Sequence, residues 1–194
     1  VIDAETTCDR ALSAGFTALG PPRALGSNPA IRAAQVAAPG GGAAYLTDIR
    51  AYDGPLDLHR ARQPVDRVFI AVLASDALER DRAWLEAEGI GETVTDRPVG
   101  VPVLQESLGL AQGETTRISS LQLAGGCLIE IDAYPPGTPR RAGTDGWPAG
   151  TAMVTLASPA APPRGRPCPA APYDGRAAQV DRLPSGALLE RVGP

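Results

Sequence analysis

The sequence predicts an α+β fold in which a unit of strand, helix and antiparallel strands is repeated along the chain. Three observations support this prediction: a short stretch that recurs letter for letter, apolar runs that suit buried strands, and two amphipathic helical segments. With 194 residues, the chain is long enough for one domain with a substantial core or for two small ones.

The repeat is clearest in the predicted hairpins. Residues 32–36, Arg-Ala-Ala-Gln-Val, recur unchanged at 176–180, and the same shift places Gly42-Ala43 on Gly186-Ala187. A looser copy runs from Ser120 to Asp132 with Gly126 in its turn. Each copy has two strand-like runs around a Gly-containing turn, which predicts a β-hairpin.

Strand and helix patterns precede these hairpins. Val65–Leu73 is an apolar run suited to a buried strand, and Ser75–Gly89 follows as an amphipathic helix with a capping serine and a terminating glycine. Asp3–Gly15 predicts the same helix in an earlier copy, whose preceding strand we expect upstream of Val1. Thr151–Ala157 predicts another strand, but residues 158–172 contain too many prolines for a helix.

These patterns divide the chain into three predicted modules. Residues 1–60 form a partial first module without its first strand, residues 64–136 form a second module, and residues 150–194 form a third that lacks its helix. Pro and Gly are concentrated at 133–150 and 159–172, which predicts exposed connectors or disordered linkers.

Composition narrows the classes of function. The net charge of −4 offers no basic face for a phosphate backbone, so we expect no nucleic-acid partner. We also expect no membrane partner and a cytoplasmic location, because there is neither an apolar run of about 20 residues nor a signal peptide. The three cysteines are too widely spaced to indicate a disulfide framework, and His59, the single histidine, lies in a polar connector.

Two modules close on similar motifs, Gly-Gly-Cys-Leu-Ile-Glu-Ile at 125–131 and Ser-Gly-Ala-Leu-Leu-Glu-Arg at 185–191. The repeated unit with these endings resembles the βαβββ modules of the vicinal oxygen chelate superfamily, which includes glyoxalases, bleomycin-resistance proteins and dioxygenases. The resemblance spans nearly the whole chain. It implies curved mixed sheets that enclose a cavity for a small molecule, with a Glu from each module's last strand offered to a divalent metal.

The resemblance assigns Glu130 and Glu190 to the carboxylate ligands of that metal. Arg67 and Met153 occupy the positions of the first-strand ligands without ligand chemistry, and Leu46 replaces the carboxylate in the first module. Two ligands of the usual four remain, so a divalent metal is an open possibility with an incomplete ligand set.

Arg67 suggests how the site could work without a metal. A guanidinium is always charged and can bind a carboxylate with two hydrogen bonds, so we expect Arg67 to pair with Glu130 or Glu190 in place of the cation. Arg67, Glu130 and Glu190 are then the candidate catalytic residues. The alternative is that both glutamates are solvated strand ends.

Strand alternation predicts the residues that line the cavity. If Glu130 faces the cavity, its strand neighbours two positions away do so too, whereas Ile129 and Ile131 pack against the helix. The same argument turns Arg67, Phe69 and Ala71 inward and Val68, Ile70 and Val72 toward the core. Glutamines recur at 35, 122 and 179 on equivalent strands, where they line the cavity or face water. The candidate ligand-binding residues are Phe69, Leu128, Asp132, Gln122, Gln179 and Met153.

Three functions are compatible with these residues. One is a metal-dependent lyase, isomerase or oxygenase of the glyoxalase or dioxygenase kind. The second is a metal-free binding protein, like the drug-sequestering members of the superfamily, and the third is a degenerate module pair that serves in subunit assembly. An odd number of modules makes a homodimer plausible. The sequence does not identify the substrate.

Overall fold

The computed structural model describes residues 1–194 except 26–27, 40–41, 102–103, 106–108, 112, 136, 140–141, 144, 146 and 148–149. Residue 136, the end of the second predicted module, therefore lies outside the described residues. The elements are α1 (Ala4–Ser13), β1 (Thr17–Leu25), β2 (Asn28–Ala37), β3 (Ala43–Ile49), β4 (Ile70–Ser75), α2 (Leu78–Ala87), β5 (Glu92–Val99), β6 (Thr116–Leu123), β7 (Cys127–Ala133), β8 (Met153–Ala157), β9 (Arg166–Pro167), β10 (Ala177–Arg182) and β11 (Leu188–Val192).

The strands form three sheets. Sheet 1 has the order β1-β2-β3, sheet 2 the order β4-β7-β6-β5, and sheet 3 the order β8-β11-β10-β9. Neighbouring strands are antiparallel except for two pairs, β4 with β7 and β8 with β11, which are parallel. The predicted α+β class and the three predicted hairpins, β2-β3, β6-β7 and β10-β11, are therefore confirmed.

The predicted helices are present, but Ser75 does not cap the second one, which begins after Ala77 without a side-chain cap. Asp3 caps α1 by accepting a hydrogen bond from the Thr6 amide at 2.7 Å. Ser75 ends β4, and its Oγ accepts a hydrogen bond from the Ala77 amide at 2.9 Å, so α2 begins later than predicted. Gly89 follows α2 with a φ of +64°, a left-handed conformation that glycine adopts without strain.

The predicted strand at residues 65–73 is partly wrong. The strand begins only at Ile70, because Asp66 before it accepts hydrogen bonds from the connecting segment instead of joining the sheet. Its alternation is also the reverse of the prediction. Val72 lies beside Glu130 in the parallel register, and Leu73, at 3% exposure, packs in the core. Ile70 and Val72 therefore share the face of Glu130, and Ala71 shares the opposite face with Leu73.

The larger core joins sheets 2 and 3 through α2. Leu78 and Leu85 of α2 pack with Ile129 and Ile131 of sheet 2, and Leu189 of sheet 3 belongs to the same cluster. A smaller core lies between α1 and sheet 1. None of the helices in the described part of the chain is long and apolar enough to cross a membrane.

Candidate functional site

Two carboxylates lie side by side on one face of β7. Ile129 and Ile131 are fully buried against α2, so the alternating Glu130 and Asp132 project from the opposite face of sheet 2. Asp132 is only 5% exposed, and its Oδ1 is buried without a hydrogen-bond partner among the described residues. Two acidic groups therefore lie together where hydration is poor.

Burial changes the acidity of both groups. Loss of hydration raises the pKa of Asp132 to about 7, with a further contribution from the charge of Glu130. Burial also raises the pKa of Glu130 above its ordinary value. The cause is that a carboxylate loses more solvation free energy than a carboxylic acid when it leaves water.

Sheet 1 supplies the groups that approach this acid pair. Ala34, Val36 and Leu46 pack toward α1, so the alternating Gln35 and Tyr45, which are register partners, project from the other face of sheet 1. Partial burial, together with the charges of Asp132 and Glu130, raises the pKa of Tyr45 to about 12, even though its hydrogen bond with Gln35 and the charge of Arg23 lower it. The polar faces of sheets 1 and 2 therefore lie within electrostatic range of each other.

Glu190 lies in a different environment from Glu130. Its Oε2 accepts a hydrogen bond from the Thr155 hydroxyl at 2.9 Å, and its Oε1 accepts one from the Tyr173 hydroxyl at 2.8 Å. Leu189 joins the same core as Ile129, so Glu190 and Glu130 both point away from that core, each from its own sheet. The prediction that the two glutamates share one site is corrected: they lie on faces that the common core separates.

The strand register explains why the repeat misled this assignment. In sheet 2, Gln122 pairs with Leu128, which shares the face of Glu130. In sheet 3, Gln179 pairs with Arg191 rather than with Glu190. A shift of one residue between the copies reverses the face, so the glutamate of the third module does not correspond to Glu130.

Arg67 pairs with neither glutamate. It lies before β4, and its guanidinium hydrogen-bonds Nδ1 of His59 and, at 3.1 Å, the carbonyl oxygen of Gly125. A guanidinium can only donate, so Nδ1 of His59 is an acceptor and Nε2 carries the proton, which it donates to Asp66 at 3.1 Å. Both ring nitrogens of His59 therefore form hydrogen bonds. Instead of the expected ion pair with a glutamate, Arg67 binds His59 and Gly125 and holds the segment before β4 in place.

Both recurring glutamines predicted to bind ligand hold connecting segments instead. Gln122 accepts a hydrogen bond from the Asp57 amide at 2.8 Å and donates one to the Asp57 carbonyl oxygen at 3.1 Å. Gln179 accepts from the Arg164 amide at 2.8 Å and donates to Asp181. Their amides are satisfied within the protein, which explains their recurrence on structural grounds.

The remaining predicted lining residues fall on different faces. Leu128, 3% exposed, shares the face of Glu130, next to the acid pair. Phe69 precedes β4, and its carbonyl oxygen accepts a hydrogen bond from the Leu128 amide at 2.7 Å. Met153 pairs with Leu188 and therefore shares the face of Glu190. Of the predicted site residues, Glu130, Asp132, Leu128 and Gln122 share one face of sheet 2, and the amide of Gln122 is engaged with Asp57.

The donors present do not fit the expected metal site. The described residues contain no group of three or more His, Cys, Asp or Glu side chains that could hold a metal ion. Glu130 and Glu190 are on separate faces, and the positions that should supply the other ligands hold Arg67 and Met153. A divalent ion at Glu130 would find Asp132 as its second carboxylate and no imidazole, so we derive no chemistry through a metal here.

Two depressions of the described surface lie away from the acid pair. One, of about 410 Å³, is lined by Thr6, Asp9, Arg10, Ser13 and Ala14 on α1. The other, of about 420 Å³, lies between residues 57–62 and the Gly125–Gly126 turn. Neither contains a residue predicted to be catalytic or to line the ligand cavity.

Sequence reasoning missed Tyr45 as a member of the site. Its signal was present, because Leu46 was identified as the position of the missing carboxylate and strand alternation places its neighbour on the opposite face. The assumption that Leu46 faces the cavity was wrong. Leu46 packs against α1, and the neighbouring Tyr45 projects from the opposite face of sheet 1.

Comparison with solved structures identifies the fold of this chain. Glyoxalase I from Zea mays superposes on 99% of this chain with a TM-score of 0.57 at 16% identity, and the chain covers 64% of it. A single-residue variant of the same enzyme superposes on the whole chain with a TM-score of 0.60 at 16% identity, of which 65% is covered. The chain has the glyoxalase-like fold.

The likeness to the maize structures confirms the predicted resemblance to the vicinal oxygen chelate superfamily at the level of the fold. The chain spans less than two thirds of the length of these structures. No protein-family model matches the sequence, and a comparison with curated proteins also gives no match. The glyoxalase-like fold is thus common to the maize enzyme and this chain, whereas activity has to be argued from the residues.

Proposed function

We propose that this protein binds a small organic molecule without a metal, in the space between the polar faces of sheets 1 and 2. The residues that would contact the ligand are Tyr45 and Gln35 from sheet 1 and Glu130 and Asp132 from sheet 2. The observation that carries the proposal is the buried Oδ1 of Asp132, which has no hydrogen-bond partner in the described part of the chain. This function corresponds to the metal-free alternative among those that the sequence left open.

Asp132 has an unmet hydrogen bond among the described residues, and this has an energetic consequence. A buried polar atom without a partner costs about 1–3 kcal/mol, and more if it is charged. Oδ1 is closed off from solvent, so a donor would reach it only after the carboxyl turns, and the new hydrogen bond would then offset that cost. The phenol and the amide opposite supply further polar groups that could orient the molecule.

A metal-dependent lyase, isomerase or oxygenase is the second candidate. The observation in its favour is that Glu130 ends the βαβββ segment on β7, where the superfamily resemblance expects a metal-binding carboxylate, with Asp132 beside it. The donor set argues against it, because neither Arg67 nor Met153 supplies a ligand and Glu190 belongs to another face.

Metal analysis together with a fragment screen tests the proposal. The purified protein is treated with a chelator, and its thermal unfolding is then measured with a library of neutral and charged fragments. We expect the unfolding temperature to be unchanged by removal of metal. We expect some of the fragments to raise it. Tyr45→Phe and Asp132→Asn should reduce those gains. Glu92→Gln, an exposed change at the start of β5, serves as the control. Stoichiometric metal whose removal lowers the unfolding temperature would support the second candidate instead.

A further inference from the structure

We propose that the cleft between residues 57–62 and the Gly125–Gly126 turn binds a small organic phosphate, with the phosphate group held by Arg60 and Arg62. The cleft is the depression of about 420 Å³ at the end of the β6-β7 hairpin, and the acid pair does not line it. The inference therefore goes beyond the proposed function and does not depend on it.

The cleft is large enough for a small organic molecule. Its volume lies within the range of about 300–1,000 Å³ that is common for small-molecule sites. Leu58, Ala61 and the two turn glycines contribute apolar side chains or bare backbone to its lining, whereas Arg60 and Arg62 contribute charged groups. A ligand in this cleft can therefore combine one strongly charged group with a small uncharged body.

Two arginines in the lining lack a partner of opposite charge. Arg60 and Arg62 are exposed, and within the described part of the chain neither guanidinium forms an ion pair or a hydrogen bond. Asp57 is the single acid among the described residues that line the cleft. Two guanidinium groups and one carboxylate leave the lining with an excess of positive charge, which favours an anionic ligand.

The charged groups next to the cleft offset each other. Asp66 accepts hydrogen bonds from the Arg62 amide and the His59 ring, and these bonds, together with the nearby charge of Arg67, lower its pKa. Arg67 also donates to Nδ1 of His59, which leaves the imidazole neutral. The excess positive charge therefore arises from Arg60 and the Arg62 side chain.

The segment that carries the two arginines is held in place before any ligand binds. Gln122 contacts the amide and the carbonyl oxygen of Asp57 at 2.8 and 3.1 Å. Asp66 binds the Arg62 amide at 2.8 Å and Nε2 of His59 at 3.1 Å. Because these contacts fix both ends of the segment, binding would cost little conformational entropy of the backbone.

A phosphate monoester suits two unpaired guanidinium groups better than a carboxylate does. It carries about two negative charges near neutral pH and three terminal oxygens that accept hydrogen bonds. Each guanidinium is a fork of N–H donors that matches two of these oxygens. The net charge of the chain is −4, which disfavours a long polyanion such as a nucleic-acid backbone, so a small phosphate is the better occupant.

Three probes with the same ring and different charged groups test the proposal. Phenyl phosphate, benzoate and phenol would be titrated into the full chain near neutral pH and at low ionic strength, with calorimetry as the readout. Phenyl phosphate should bind, whereas benzoate and phenol should bind more weakly by about tenfold or more, the effect of losing one charge-assisted hydrogen bond. Inorganic phosphate should displace phenyl phosphate, because it offers the same charged group without the organic body.

Variants of the lining assign the binding to the cleft. Arg60→Gln and Arg62→Gln should each weaken phenyl phosphate by about tenfold. Asp57→Asn removes the acid of the lining and should strengthen the binding. Arg80→Gln is the matched control, because Arg80 is an exposed arginine of α2 that does not line the cleft, and this variant should bind like the wild type.

Several results would overturn the phosphate assignment. These are no binding of phenyl phosphate, no displacement by inorganic phosphate, equally tight binding of phenol or benzoate, affinity that survives both Arg60→Gln and Arg62→Gln, and equal weakening by Arg80→Gln. None of them would bear on the proposed function, because these variants leave Tyr45 and Asp132 unchanged.

Discussion

At the scale of single residues, Asp132 is the most informative side chain of this protein. It is a buried acid beside another acid, and one of its oxygens has no hydrogen-bond partner within the ranges that the structure describes. The fold tolerates this arrangement at a cost in stability, because ionising the group in place is unfavourable. This cost in stability is expected if Asp132 binds a ligand instead of stabilising the fold.

Asp132 should make stability fall as pH rises. Its pKa is raised from 3.8 to about 7 in the folded protein, so the folded state holds a proton that the unfolded state has already lost. The stabilising contribution is fully present below the unfolded value and is lost as pH rises through about 7. Between pH 5 and pH 8 the loss should be on the order of 2 kcal/mol.

Urea unfolding at these two pH values measures that loss. Asp132→Asn should flatten the pH dependence relative to the wild-type chain, and Glu92→Gln should leave it unchanged. An identical wild-type and Asp132→Asn dependence between pH 5 and pH 8 would show that the carboxyl titrates near its ordinary pKa.

At the scale of elements, the sequence predicted the hairpins and helices well and their faces poorly. The repeated stretch at residues 32–36 and 176–180 identified two hairpins because turn glycines and strand-forming residues are local signals. Which face a strand shows to the core depends on pairing with distant strands. The parallel pairing of β4 with β7 set the faces of Ile70 and Val72, and no local pattern contains that register.

The β6-β7 turn gives a test of how the connecting segment is held. Gly125 and Gly126 have φ values of +70° and +69°, so alanine at either position should cost about 1 kcal/mol in backbone strain. A Cβ on Gly126 would also lie 3.2 Å from the His59 amide nitrogen, whereas one on Gly125 would meet nothing within 4 Å.

Gly126→Ala should therefore destabilise the protein by about 1 kcal/mol more than Gly125→Ala, measured by denaturant unfolding. If hydrogen exchange of residues 57–62 is faster in Gly126→Ala but not in Gly125→Ala, the added methyl group has displaced this segment. Equal effects of the two variants would mean that the segment does not rest on the turn.

At the scale of the whole molecule, α2 is the element that joins sheets 2 and 3. Besides their shared core, Arg191 of β11 bonds Glu88, just beyond α2, at 2.9 Å and Asp181 at 2.7 Å, and its side chain is 8% exposed. The sequence predicted a third module without a helix but gave no sign that the helix of the second module would cover it. The module boundaries, the homodimer and the cytoplasmic location stay predictions.

Arg191→Ala should cost about 3 kcal/mol in the free energy of unfolding, because it removes a buried guanidinium and leaves the half-buried Asp181 without its better-shielded cation. Arg164→Ala is the matched control, since Arg164 bonds the same carboxylate at 2.9 Å with a side chain that is 70% exposed. The control should cost no more than about 1 kcal/mol. Similar losses in both variants would show that the contact between sheet 3 and α2 does not depend on the buried pair.

The overall likeness to glyoxalase structures could be predicted from repeated modules, but the chemistry of the site could not. The ligand positions taken from the resemblance led to Arg67 and Glu190, which the folded chain engages with His59, Thr155 and Tyr173. Asp132 was predicted from strand alternation as a cavity-lining residue. Its missing partner and its proximity to Tyr45 depend on how two sheets face each other, which only three-dimensional structure determines.

We propose that the space between sheets 1 and 2 binds an organic ligand through Asp132 without a metal. The most direct measurement is calorimetric titration of the most stabilising fragment into the chelator-treated wild-type chain and into Asp132→Asn. We expect binding at one site per chain in the wild type and a loss of about tenfold or more in the variant. Binding that disappears with the chelator and returns with added metal, or that is equal in the two proteins, would contradict the claim.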